Sequence, residues 1–115
     1  MELVDFSPAR AIPITGYASR GASVVPLGHG SGTGHVYGVH MEPGGEIAPH
    51  QAGFGQLFLV VAGAGWVSGA DGVRVPVATG EGAYIPRGEV HAKGSASGMT
   101  AIMVQLTELH AATPV

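Results

Sequence analysis

The chain has 115 residues, of which 45% are hydrophobic and only 11% charged. That length allows one compact domain, and that balance excludes intrinsic disorder, which needs low hydrophobicity and high charge. A net charge of −3, with Lys93 the only lysine, argues against nucleic acid or an anionic membrane as partner. The lack of cysteine excludes disulfides, thiolate zinc sites and thiol nucleophiles.

No apolar run approaches the ~20 residues of a membrane span. The start, Met1-Glu2-Leu3-Val4-Asp5, has neither the basic segment nor the apolar core of a signal peptide. A cytoplasmic domain is therefore expected. Glycine is frequent at 20 residues and proline contributes 8 more. Together with high hydrophobicity this points to short apolar strands joined by tight turns, and so to an all-β fold.

In chain order, residues 1–34 read as an arm that is irregular or forms edge strands. Ile12-Pro13-Ile14 and Ser23-Val24-Val25-Pro26 are extended pieces interrupted by proline, which removes a ladder donor. Gly28-His29-Gly30-Ser31-Gly32-Thr33-Gly34 reads as a flexible loop; it has neither G-x-G-x-x-G nor the lysine of a phosphate-binding loop. From residue 35 to 107 the punctuation is regular. Strands are expected over 36–41, 56–62, 66–68, 73–77, 83–85, 90–93 and 100–106. The turns between them include Gly63-Ala64-Gly65 and Asp71-Gly72. Such spacing indicates a β-sandwich or barrel. The tail, 108–115, offers only a helical turn over 108–112.

Gln56-Leu57-Phe58-Leu59-Val60-Val61 is apolar on both faces apart from Gln56. One face can fill a barrel. The other needs a cover, either the arm or a second subunit packed sheet to sheet. A homodimer is the expected assembly.

Histidine is the conspicuous ionisable resource, with six in the chain. His29 and His35 in the glycine-rich segment and His110 in the tail read as solvated, and His40 as facing outward on the first long strand. His50 and His91 differ, since each follows a proline or glycine turn at the head of an apolar strand. If period two is restored across Gly53-Phe54-Gly55, His50 and Gln56 both point into the barrel, and a return strand can bring His91 alongside. Two imidazoles and an amide oxygen in an apolar box suit a first-row metal, with the amide a weaker ligand than a carboxylate. The same trio can equally be a mutually hydrogen-bonded cluster. Glu89, in the turn before His91, reads as a solvated turn residue near the barrel mouth. Phe58, Val60, Ile85 and Met103 read as barrel lining, and Trp66 and Tyr84 as packing residues.

At these positions the sequence resembles the cupin superfamily. Gly44, His50, Ala52, Gln56 and Gly63 fall at the spacing of the first cupin motif; Gly80, Pro86, Gly88 and His91 match the second, with Ser95 in its last place. The resemblance implies a jelly-roll barrel of antiparallel strands (a double-stranded β-helix), often dimeric, whose histidines and glutamate hold a divalent metal. Here Ala52 stands for the second histidine and Gln56 for the glutamate, so His50, Gln56 and His91 are the candidate metal ligands. Fe, Mn, Ni or Zn would be weakly held or absent, because no anion compensates the dication. Two functions follow: a metal-dependent enzyme acting on a small organic molecule, or a metal-free small-molecule-binding or sensor module without catalysis.

Overall fold

Punctuation by glycine and proline does cut this chain into strands, but into longer ones than the turn signals suggest. The computed structural model describes residues 1–112. Its strands are β1 (Glu2–Asp5), β2 (Ile12–Pro13), β3 (Ser23–Val24), β4 (Gly28–Met41), β5 (Glu46–Gln51), β6 (Gly55–Ser68), β7 (Val75–Ala78), β8 (Glu81–Ile85), β9 (Val90–Gly94) and β10 (Met99–Ala111). A single 3-10 turn at Pro8–Arg10 is the only helical element among the described residues. Every ladder is antiparallel. Strands β1-β8-β6-β10-β4 form one layer of the jelly roll; β5 and β9, with β7, attach through the far end of β6.

The hinge between layers is β6 itself. Residues 56–63 pair with β8 and β10, whereas residues 64–68 pair with β7 and β9. Gly63-Ala64-Gly65, expected as a turn, is instead the bend inside one continuous strand. Gly63 sits at φ +80, a conformation that disfavours any side chain, and the ladder to β10 shifts register between Thr100 and Ala101. The Asp71-Gly72 turn stands as expected, with Gly72 at φ +72 between β6 and β7.

The glycine-rich segment is not a loop. Gly28 and Gly30 pair in ladder with β10, and Gly34 resumes the ladder beyond an irregularity opposite Thr107, where Gly32 sits at φ +92. A Cβ at Gly28 would meet the His110 carbonyl at 2.6 Å, and one at Gly34 would meet the Leu106 side chain at 2.7 Å. Period-two glycine therefore makes close backbone approach possible, not flexibility. The pairing continues across residues 34–35 and 107–108, and residues 108–111 are strand where a helical turn was expected. Residues 113–115 of the tail lie outside the described residues.

Inside the barrel, Met41, Phe58, Val60, Val67, Val77, Ala83, Met99 and Ala101 form the core. Ile85 is fully buried and Met103 packs against the core, so all four expected lining residues face inward. Full burial of a side chain such as Phe58 contributes about 1.5–3 kcal/mol. On the outer face, Leu57, Val104 and Val36 form one cross-strand row, and Leu59, Ile102 and Gly38 the next. β1 extends the sheet edge beside β8; within the single chain Leu57 is already buried, whereas Val36 remains 71% exposed.

Candidate functional site

Strands β5 and β9 run antiparallel with His50 directly opposite His91, which brings their rings to a centroid separation of 4.4 Å. His50 is exposed, and its Nδ1 donates to the Ala48 carbonyl at 2.9 Å. His91 is only 1% exposed and points inward. On a strand, residues two apart share a face, so the side chain after next must enter the barrel as well. That residue is Lys93, also 1% exposed.

The lysine joins two members of the expected site. Its Nζ donates to Gln56 Oε1 and to His91 Nδ1, the latter at 3.1 Å. The same Nζ lies 4.8 Å from the centroid of the Phe58 ring, within cation–π range. Gln56 is itself buried. The residue pattern alone brings His50, Gln56 and His91 together and gives Lys93 no place in the site. The signal that could have found it is the i, i+2 spacing from His91.

Proton counting defines what the cluster offers. An ammonium only donates, so His91 Nδ1 is the acceptor and a neutral His91 carries its hydrogen on Nε2. Burial, then the Lys93 and His50 charges, push His91 down to about 4, while Glu89 pulls weakly the other way. The ring is therefore neutral at neutral pH. Burial alone lowers Lys93 to about 7, with no carboxylate offsetting it. His91 Nε2 is the one buried side-chain N or O atom without a hydrogen-bond partner among the described residues.

The residues present do not fit a divalent metal. The Gln56 oxygen that replaces the family carboxylate already accepts from Lys93, and the Ala52 methyl provides no ligand. A dication would share the site with an amine that already occupies the Gln56 oxygen, and of the three expected ligands only the two imidazoles would remain. Among the described residues no three His, Asp or Glu side chains are grouped so that they could hold an ion.

Neighbouring polar residues have structural duties. Glu89 is half-buried and accepts from the α-amino group of Met1 at 2.5 Å and from the Ala70 amide at 3.0 Å, contacts that hold its carboxyl below the usual range despite partial burial. Ser95, in the last motif position, donates to the Ala64 carbonyl and accepts from the Gly98 amide, closing the turn into β10. His40 faces outward and pairs with Thr100 at 3.2 Å. His35 is not in a loop; on β4 it stacks on Tyr37 and meets Phe54 edge-on, and it shares the inward row of Gln56 and Gln105. A separate cavity of about 360 Å³ lies between the arm and the barrel, walled by Leu3, Val4, Ile12, Leu27 and Val77. Its charged lining residues are exposed and it contains no unpartnered buried donor.

The cupin domain family model matches residues 38–106, more than half of the chain. The chain belongs to the cupin family. Solved structures agree on the fold. A cupin-like protein from Thermotoga maritima is 25% identical at a TM-score of 0.61, covering 64% of this chain and 57% of its own. A conserved protein with a double-stranded β-helix domain from Klebsiella pneumoniae is 21% identical at a TM-score of 0.60, covering 91% and 92%. A predicted oxalate decarboxylase from Thermotoga maritima is 19% identical at a TM-score of 0.57, covering 62% and 64%. This cupin thus spans less than two thirds of the length of some of its structural relatives. No curated protein matches it. No helix among the described residues is long and apolar enough to cross a membrane.

Proposed function

We propose that this cupin is a metal-independent small-molecule-binding module, with Lys93, His91 and Gln56 as its polar centre and His50 beside them. The observation that carries the reading is the Lys93 amine hydrogen-bonded to both Gln56 and His91. A tethered amine brings one positive charge to the side chain that stands in place of the family glutamate. It requires no external ion and no glutamate, which accounts for Gln56 and Ala52 together. The apolar lining around a few convergent polar groups is the usual make-up of a ligand pocket.

Elemental analysis of untagged protein purified without chelator tests this. Sub-stoichiometric Fe, Mn, Ni and Zn, unchanged after incubation with each ion, is the expected result. One metal per chain, lost in His50→Ala, would return the barrel to the metal-dependent enzymes. We propose further that a second copy covers the outer face of β6 and β10. The rows Leu57-Val104-Val36 and Leu59-Ile102 carry no charge, and a two-fold axis would set each against itself. Light scattering should give the mass of a dimer.

A further inference from the structure

The cavity of about 360 Å³ between the arm and the barrel is reached neither by the cupin motif residues nor by the Lys93 cluster. Its size falls within the range of small-molecule pockets, about 300–1,000 Å³. β1 supplies one wall, Val77 of β7 another, and the arm closes it with Ile12 and residues 25–27. The walls are apolar, yet Leu3 and Ile12 keep 58% and 42% exposure. Apolar surface left open beside a cavity is surface that a ligand can still remove from water.

The mouth of this cavity has a sign. Asp5 on β1 is the direct cross-strand partner of Glu81 on β8, so two carboxylates share one face. Like charges placed directly opposite weaken a ladder. Backbone amides occupy one oxygen of each: the Ser7 amide donates to Asp5 and the Ala78 amide to Glu81, both at 2.9 Å. Glu2 adds a third carboxylate to the lining. Arg10 is the one cation there, and its Nε lies 3.6 Å from Asp5, which leaves Glu81 without an ion pair among the described residues.

We propose that this cavity is a second binding site, and that its ligand is a small organic ammonium ion. The apolar body lies between Leu3, Ile12 and Val77, and the ammonium group lies at the mouth between Asp5 and Glu81. The proposal goes beyond the reading of the barrel centre and does not depend on it. An organic anion would meet three carboxylates and a guanidinium that is already paired. A neutral molecule would fill the walls but leave Asp5 and Glu81 facing each other. Only a cation gains from both the walls and the mouth.

The test is a titration of the full-length chain at neutral pH and low salt, followed by its methyl resonances. The probes are hexylammonium chloride, hexan-1-ol and sodium hexanoate, which share one alkyl chain and differ in the charge of the head. Hexylammonium should shift the Leu3, Ile12 and Val77 methyls saturably and bind about threefold or more tighter than hexan-1-ol, the scale of exposed ion pairs. Hexanoate should be weakest, and the preference should shrink at high salt, which screens exposed charges. Asp5→Asn combined with Glu81→Gln keeps both amide-accepting oxygens. That variant should lower hexylammonium to the level of hexan-1-ol and leave hexan-1-ol itself unchanged, which also shows that the arm is still in place. Hexan-1-ol or hexanoate binding as tightly as hexylammonium, or a preference that survives in the double variant, overturns the ammonium assignment. No saturable response to any probe, or shifts confined to methyls outside the cavity, overturns the site. None of these outcomes alters the metal content by which the reading of the barrel centre is judged.

Discussion

Glu89 and Lys93 lie on one short segment and meet opposite fates. Glu89 is partly exposed and has two donors, an ammonium and an amide, so its charge is matched and it fastens the turn before β9 to the start of the chain. Lys93 is buried and touches a neutral amide, a neutral imidazole and an aromatic face, so its charge is not matched. A satisfied charge needs no explanation beyond stability. An unmatched one is a standing cost, retained in a fold that could have placed methionine there, and that contrast directs attention to the lysine and not to the acid.

The contrast can be broken most severely from beneath. Phe58→Ala removes the ring that faces Nζ and opens a cavity in the core; a loss of about 3–5 kcal/mol is expected in urea unfolding. Lys93→Met should act in the opposite direction, raising stability by about 1–4 kcal/mol below neutral pH, because a buried ion is exchanged for an apolar side chain of similar volume. That gain depends on pH with a fixed sign. The lysine is lowered to about 7 in the folded state from 10.5. The penalty is therefore complete below about 7 and is relieved as pH rises towards 10.5, where the unfolded chain also loses the proton. Unfolding curves of the two proteins should converge across that window; a constant gap would mean that the amine is not buried as a cation.

Glu89→Gln should cost less, about 1 kcal/mol, by weakening the contacts to Met1 and Ala70. Thermal unfolding should show the loss. His50→Ala removes an exposed ring whose one recorded hydrogen bond is local, and should stay within about 0.5 kcal/mol. If it costs as much as Phe58→Ala, the ring contact with His91 is part of the core.

Much of this was legible in the residue pattern. Turn spacing indicates antiparallel β architecture, and the spacing of Gly80, Pro86, Gly88 and His91 carries the family resemblance. The return strand that sets His91 beside His50 follows from the apolar periodicity. What stayed hidden was hidden for physical reasons. Glycine at every second position reads as a loop when only its conformational freedom is weighed, yet the same spacing serves a strand whose neighbour comes unusually close. Gly63 and Gly65 signal a break in direction, and only pairing partners distinguish a turn from a bend that changes layers. Lys93 escaped notice because lysine is normally a surface residue, although sharing a face with an inward histidine left it nowhere else to go.

The ladder of β4 has a consequence for how the polypeptide is made. Among the described residues strand β4 pairs with β10 alone, and five strands lie between them in chain order. During synthesis β4 must therefore wait, with its hydrogen-bonding edge open, until β5 to β9 and then β10 have emerged. An unpaired apolar strand in that position would invite self-association. The alternating glycines that admit β10 so closely also give β4 little tendency to pair prematurely with another nascent chain, so the same spacing protects the fold before it exists.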